Sequence, residues 1–147
     1  MEVNVALQRR HSCRSFRSEK VPKSLIKRLT VAFSQAPYAS GGPRRRLYIV
    51  DKPESLMELQ VACCHQSHVG SCTAAFIICG EDTNVSLRSG HSKYVFDCVA
   101  SAMCIDLMAT SYDLGICWIG NFHPEKVAKF IKYDLKPVII LVVGNPE

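Results

Sequence analysis

The stretch "RRHSCRSF", residues 9–16, packs three arginines, a histidine and two serines into eight positions. Guanidinium groups offer paired N–H donors that match a phosphate or carboxylate bidentately, and a turn beside a helix adds free backbone N–H groups. In an extended segment Arg10, Ser12 and Arg14 would fall on one side by two-residue alternation, and His11 would need a turn to join them. Such a set suits a phosphomonoester. It also suits a solvated basic surface, and composition alone does not separate the two readings.

Other candidate chemistry is thinner. "CCHQSHVGSC" holds Cys63, Cys64, His65, His68 and Cys72, all able to ligate zinc. The paired Cys-x-x-Cys spacing of structural zinc sites is absent, and helical geometry would send Cys63 and Cys64 to different faces, so no metal is expected. Arg44, Arg45 and Arg46 form the densest charge run; the phosphate of a nicotinamide or flavin nucleotide would suit it, and a solvated loop is the simpler reading. No Ser-His-Asp order, paired-carboxylate site, Walker loop or GxGxxG stands out, which leaves hydrolase and nucleoside-triphosphate chemistry unsupported.

The frame that must position these residues is set by 147 residues, 48% of them hydrophobic, enough for one domain over residues 1–147 with its own core. The net charge of +5 is mild and clustered, and the basic residues lack interleaved exposed aromatics, so nucleic acid is not an expected partner. No run approaches the roughly 18 consecutive apolar residues of a membrane span, so no membrane is expected and a cytoplasmic location is. The eight cysteines sit mostly in apolar runs such as "FIIC" and "GICWIG" and read as buried thiols.

Apolar periodicity alternates between helical and strand-like along the chain, the signature of α/β or α+β order. Residues 1–9 predict a short helix. Pro22 opens a second, with Leu25, Ile26, Leu29, Ala32, Phe33 and Ala36 at helical spacing up to Pro37. Strands are predicted at "RLYIV", "TAAFIICG", "GICWIG" and "PVIILVVG", the last fully buried. Helices are predicted at "ESLMELQVACC", at residues 94–112, and after Pro124 in "HPEKVAKFIK", about five helices and four strands in all.

The order of these segments, from "RRHSCRSF" followed by "VP", through a helix ending in "AP", to "LGICWIG" and "LVVGNP", resembles the FMN-dependent nitroreductase family over nearly the whole chain. That family's opening pattern, Arg-[Arg/His]-Ser-x-[Arg/Lys]-x-[Phe/Tyr], is matched by Arg10, His11, Ser12, Arg14 and Phe16. The resemblance implies an α+β fold with a mixed, mainly antiparallel sheet flanked by helices, forming a homodimer with FMN at the interface. It assigns the FMN phosphate and ribityl chain to Arg10, His11, Ser12 and Arg14.

The family's ring-contacting loop, Pro-Ser-x-x-Asn-x-Gln-Pro-Trp, reads here Pro37-Tyr38-Ala39-Ser40-Gly41-Gly42-Pro43-Arg44-Arg45, so the asparagine and glutamine positions fall on Gly41 and Pro43. Ser40, Gly41 and Gly42 stay candidates, since glycine permits close backbone approach to a planar ring; a plain turn is the alternative. "GICWIG" resembles the segment near the flavin edge, where backbone N–H groups stabilise developing negative charge, and nominates Cys117, Trp118, Ile119 and Gly120. The Cys117 thiol reads as packing rather than a redox centre. Relatives carry a late Lys or Arg pair and an arm beyond the last strand; here the sequence stops at "VVGNPE", which implies a heavier dependence on the N-terminal strip. The implied activity passes electrons from NADH or NADPH to a nitroaromatic, quinone-like or other small aromatic acceptor in ping-pong fashion, with no protein acid or base required. The alternative is a flavin-binding protein of the same fold without turnover.

Overall fold

The computed structural model describes residues 1–39, 42, 44–83 and 86–147. In chain order the elements are α1 (Val3–Arg9), α2 (Lys23–Gln35), β1 (Arg45–Val50), α3 (Pro53–Ala62), α4 (Ser67–Ser71), β2 (Ala74–Gly80), α5 (Lys93–Ser111), β3 (Gly115–Ile119), α6 (Pro124–Val127) continued by a 3-10 turn (Ala128–Phe130), and β4 (Lys136–Gly144). The four strands form one antiparallel sheet in the order β1-β2-β4-β3, so β3 is an edge. The expected α+β class with a mixed, mainly antiparallel sheet flanked by helices is what the chain adopts, the four strands pairing antiparallel throughout and an isolated bridge from Ser12 to Ile116 running parallel.

Alternation along the strands divides the core into two layers. One face of the sheet sends Ala75, Ile77, Cys117, Ile119, Ile140 and Val142 towards Leu56 and Leu59 of α3, Val69 of α4 and Val127 of α6. The other sends Phe76, Ile78, Ile116, Leu141 and Val143 towards Leu29 of α2 and Cys98, Ala102, Ile105 and Ala109 of α5. Every residue of β2 is buried, which is why that strand reads as an unbroken apolar run.

Pro53 and Pro124 each occupy a first-turn position, where a missing N–H costs nothing. The helix predicted through Cys64 ends earlier, because Cys64 and His65 both turn to positive φ (55° and 59°). After that break comes α4, a helix that periodicity over so short a span does not show. The helix predicted from Pro124 to residue 132 is likewise shorter. It tightens into the 3-10 turn, and Phe130 and Ile131 pack against the core. The closing strand is only partly buried over its first four residues, because β3 pairs only with Ile140 to Gly144 and leaves the start of β4 without a neighbour on that side.

Helix α5 is long and apolar enough, by length and composition, to cross a membrane, with 39% of that window buried in the chain. It carries the buried carboxylates Asp97 and Asp106 and packs against α1, α2 and the sheet. Its outward side leaves Val95, Phe96 and Val99 exposed.

Candidate functional site

The N-terminal strip extends the sheet. Ser12 bridges Ile116 of β3 in parallel, and the Cys13 N–H donates to the Ile116 carbonyl at 2.8 Å. Further along, Phe16 bridges Pro146, and the Arg17 N–H donates to the Asn145 carbonyl at 2.9 Å. Cys13 and Phe16 are buried, while His11, Ser12 and Arg14 are exposed and Arg10 is half-buried. The buried positions, Cys13 and Phe16, are three apart rather than alternate, so two-residue alternation does not describe the whole strip; the bridges to Ile116 and Pro146 hold it along the sheet.

The two arginines reach different partners. Arg10 caps α1 through its own N–H to the Ala6 carbonyl at 2.9 Å, and its guanidinium donates to Asp106 Oδ2 on α5 at 3.3 Å. Arg14 lies close enough to His68 on α4 that its charge helps to lower the imidazole pKa from 6.5, behind the larger effect of burial. Both charges act on Cys117 between them, Arg14 more strongly, although burial dominates and raises that thiol. His11 Nδ1 donates to the Arg9 carbonyl at 3.0 Å, leaving Nε2 for another group. His11 also lines a cleft of ≈ 410 Å³ with Arg9, Thr110, Asp113, Leu114, Gly115 and Pro146.

Three buried side-chain polar atoms lack a hydrogen-bond partner among the described residues: Arg44 Nε, His68 Nε2 and Asp106 Oδ1. Native chains pair nearly all such atoms, so each of the three calls for a partner that the described residues do not supply. Two of the three stand beside Arg14 and Arg10. His68 entered the sequence reading only as a possible zinc ligand; its place next to Arg14 depends on the break at Cys64 and His65 that turns α4 back towards β3. No group of three or more His, Cys, Asp or Glu side chains is gathered to hold a metal among the described residues.

The "GICWIG" residues divide by face. Cys117 and Ile119 point into the core layer under α3 and are buried, so only their backbone is available to a ligand. Trp118 faces the α5 side, and its indole N–H donates to Asp106 Oδ2 at 2.6 Å. Gly120 is exposed just past the strand. The following turn is tied to the start of α4, with the Gln66 side-chain amide donating to the Asn121 carbonyl at 3.2 Å.

Of the ring-loop candidates, Gly42 takes φ +94°, open to glycine without strain. Ser40 and Gly41 lie outside the described residues. The ends of this loop are clamped: Asp97 of α5 accepts the Ala39 N–H at 2.7 Å and the Arg44 N–H at 3.3 Å. Arg45, expected to be solvated, is instead buried. Its guanidinium donates to the carbonyls of Ala36 (2.7 Å), Pro37 (3.0 Å) and Phe33 (3.4 Å) and lies near the Phe33 and Tyr38 rings. These are carbonyls at and just beyond the end of α2, and a cation there also meets the negative end of the helix dipole.

The donors along residues 10–14, together with the orphaned His68 nitrogen, fit a phosphate-bearing ligand lying against the β3 edge: cationic, partly exposed and backed by a rigid strand. Fold and site together thus define an antiparallel α+β protein with a cationic strip laid along its edge strand. The family described as "Putative TM nitroreductase" matches residues 2–147, and the chain belongs to that nitroreductase family, a family of oxidoreductases.

Solved structures agree on the fold. A nitroreductase family protein from Clostridium novyi NT superposes with a TM-score of 0.92 at 19% identity, over 100% of this chain and 86% of that one. The NfrA1 nitroreductase from B. subtilis gives 0.86 at 22% identity, over 99% of this chain and 66% of its own. An FMN-dependent nitroreductase from Clostridium difficile R20291 gives 0.83 at 20% identity, over 97% and 86%. At these identities the likeness is one of fold. Among curated proteins, none matches the chain.

Proposed function

We propose that this chain is an FMN-dependent oxidoreductase that passes electrons from NADH or NADPH to a nitroaromatic, quinone or similar small aromatic acceptor by a ping-pong mechanism, working as a homodimer with the cofactor at the subunit interface. The observation that carries this reading is the row Arg10, His11, Ser12 and Arg14 fastened along the β3 edge, with His68 presenting an unpaired buried nitrogen beside it. Family membership and an FMN-dependent structural neighbour point the same way.

FMN, when bound, supplies the two-electron chemistry. The chain's own residues do the rest. Arg10 and Arg14 neutralise the phosphate, with Ser12 and His11 adding donors. The β3 edge beyond Ile116 carries no further strand among the described residues, so backbone N–H groups near Cys117 to Gly120 are free to donate to a ring placed there. The exposed Val95, Phe96 and Val99 on α5 give a second copy an apolar face to cover.

The visible absorption spectrum of the purified protein, after adding FMN and desalting and then adding NADH or NADPH without oxygen, tests the reading. Retained flavin absorbance that bleaches on reduction is expected, followed by NAD(P)H consumption with menadione or nitrofurazone. Retention without consumption would leave a flavin-binding protein lacking turnover. The double variant Arg10→Ala with Arg14→Ala should stay folded and lose FMN; unchanged retention would remove the strip from the site.

A further inference from the structure

Asp106 sits in the C-terminal half of α5 with no exposure to solvent, an expensive place for a carboxylate. Its Oδ2 accepts two bonds, from the Trp118 indole on β3 at 2.6 Å and from the Arg10 guanidinium at 3.3 Å. Its Oδ1 has no partner among the described residues. Burial raises the carboxyl above its ordinary value of 3.8, while Trp118, Arg10 and His11 pull the other way. A buried acid this poorly satisfied contributes little to stability. Its effect is on Arg10, whose side chain remains 30% exposed and makes, among the described residues, one hydrogen bond from its five N–H donors.

We propose that Asp106 is a positioning residue for phosphate recognition: tethered by Trp118, it holds the Arg10 guanidinium against the base of the N-terminal strip so that the remaining N–H groups meet the phosphate of a flavin mononucleotide. The inference rests on the flavin reading above. It goes further in assigning a function to two residues that do not touch the ligand, and it gives the Trp118 side chain a role as tether rather than as flavin contact. A free arginine loses rotamer entropy on being fixed, and a charge-assisted contact to Asp106 meets that loss before the ligand arrives.

The test compares FMN with riboflavin, which lacks only the phosphate, by flavin fluorescence titration. Wild type is expected to prefer FMN. Asp106→Asn keeps the size of the side chain and an oxygen for Trp118 but has no charge for Arg10, and the preference should fall about tenfold or more, the scale of a charge-assisted hydrogen bond, with riboflavin affinity unchanged. In an Arg10→Ala background the same substitution should leave the FMN-to-riboflavin ratio where it was, because the two residues act as one unit. Equal loss for both ligands, or no change in the ratio, would overturn the positioning role and leave Asp106 as a packing residue. If Asp106→Asn does not fold, Trp118→Phe decides: removal of the tether should lower the FMN preference in the same direction, and an unaltered preference overturns the proposal. A folded wild type that retains neither flavin would overturn the cofactor reading itself and this inference with it.

Discussion

Gly115 and Gly144 stand opposite one another in the β3–β4 register, and the Phe16 ring lies against both. A Cβ on Gly144 would meet Phe16 at 2.7 Å, and one on Gly115 would meet the Cys13 sulfur at 2.7 Å and Phe16 at 3.2 Å. Two glycines from opposite ends of the last hairpin thus make the floor on which the N-terminal strip is laid, with no space for a methyl group between strip and sheet.

Gly144→Ala should therefore push Phe16 off the sheet and carry the strip with it. The expected cost is about 1–3 kcal/mol, the usual range for overpacking a filled site, read from urea denaturation. FMN retention should drop in parallel. A variant as stable as wild type that still retains FMN would show that the strip is not seated by this contact.

His68 should titrate with the state of the site. Burial first, and the Arg14 charge second, lower its pKa from 6.5, so the folded chain releases this proton more readily than the unfolded chain. The stability that comes from keeping the ring neutral is present above that unfolded value and is lost as the pH falls below it towards the lowered folded value. His68→Gln should flatten this dependence, seen as a smaller drop in the urea midpoint on mild acidification. An anion held by Arg14 offsets the repulsion, so adding FMN should move the His68 midpoint upward by NMR of the ring protons. A midpoint that FMN leaves in place would take His68 out of the site.

Arg45 anchors the end of α2 and the start of the loop that follows. Replacing its three-carbonyl fork by a lysine keeps the charge but not the geometry, and Arg45→Lys should cost about 1–3 kcal/mol by the value of buried hydrogen bonds to charged groups. Thermal unfolding measures it. A negligible shift would mean that the charge at the helix end is sufficient.

The thiols should be quiet in the folded chain. Burial pushes Cys63, Cys72, Cys79 and Cys98 up to about 12, and only Cys64 and Cys104 are more than marginally exposed. A chromogenic disulfide reagent should modify those two rapidly and all eight cysteines of the chain only after denaturation. Fast native reaction of Cys117 would contradict its place in the core.

Much of this protein is legible in its residues taken in order. Pro22 and Pro124 mark helix starts, helical spacing marks α2 and α5, and the unbroken run in β2 marks a strand buried on both faces. These are local properties: dihedral limits, side-chain period and hydrophobicity act within a few residues, so they can be read without knowing what lies across the core. The antiparallel order of strands and the partners of charged side chains are not of that kind. Arg10 meets Asp106 from 96 positions away. The Trp118 indole donates to that same carboxylate, and Arg45, one of three adjacent arginines, is buried while Arg46 is exposed. Which charge is desolvated and which stays in water depends on packing between distant segments, and only the tertiary structure decides it, because the strength of a charge interaction follows burial and distance rather than residue type.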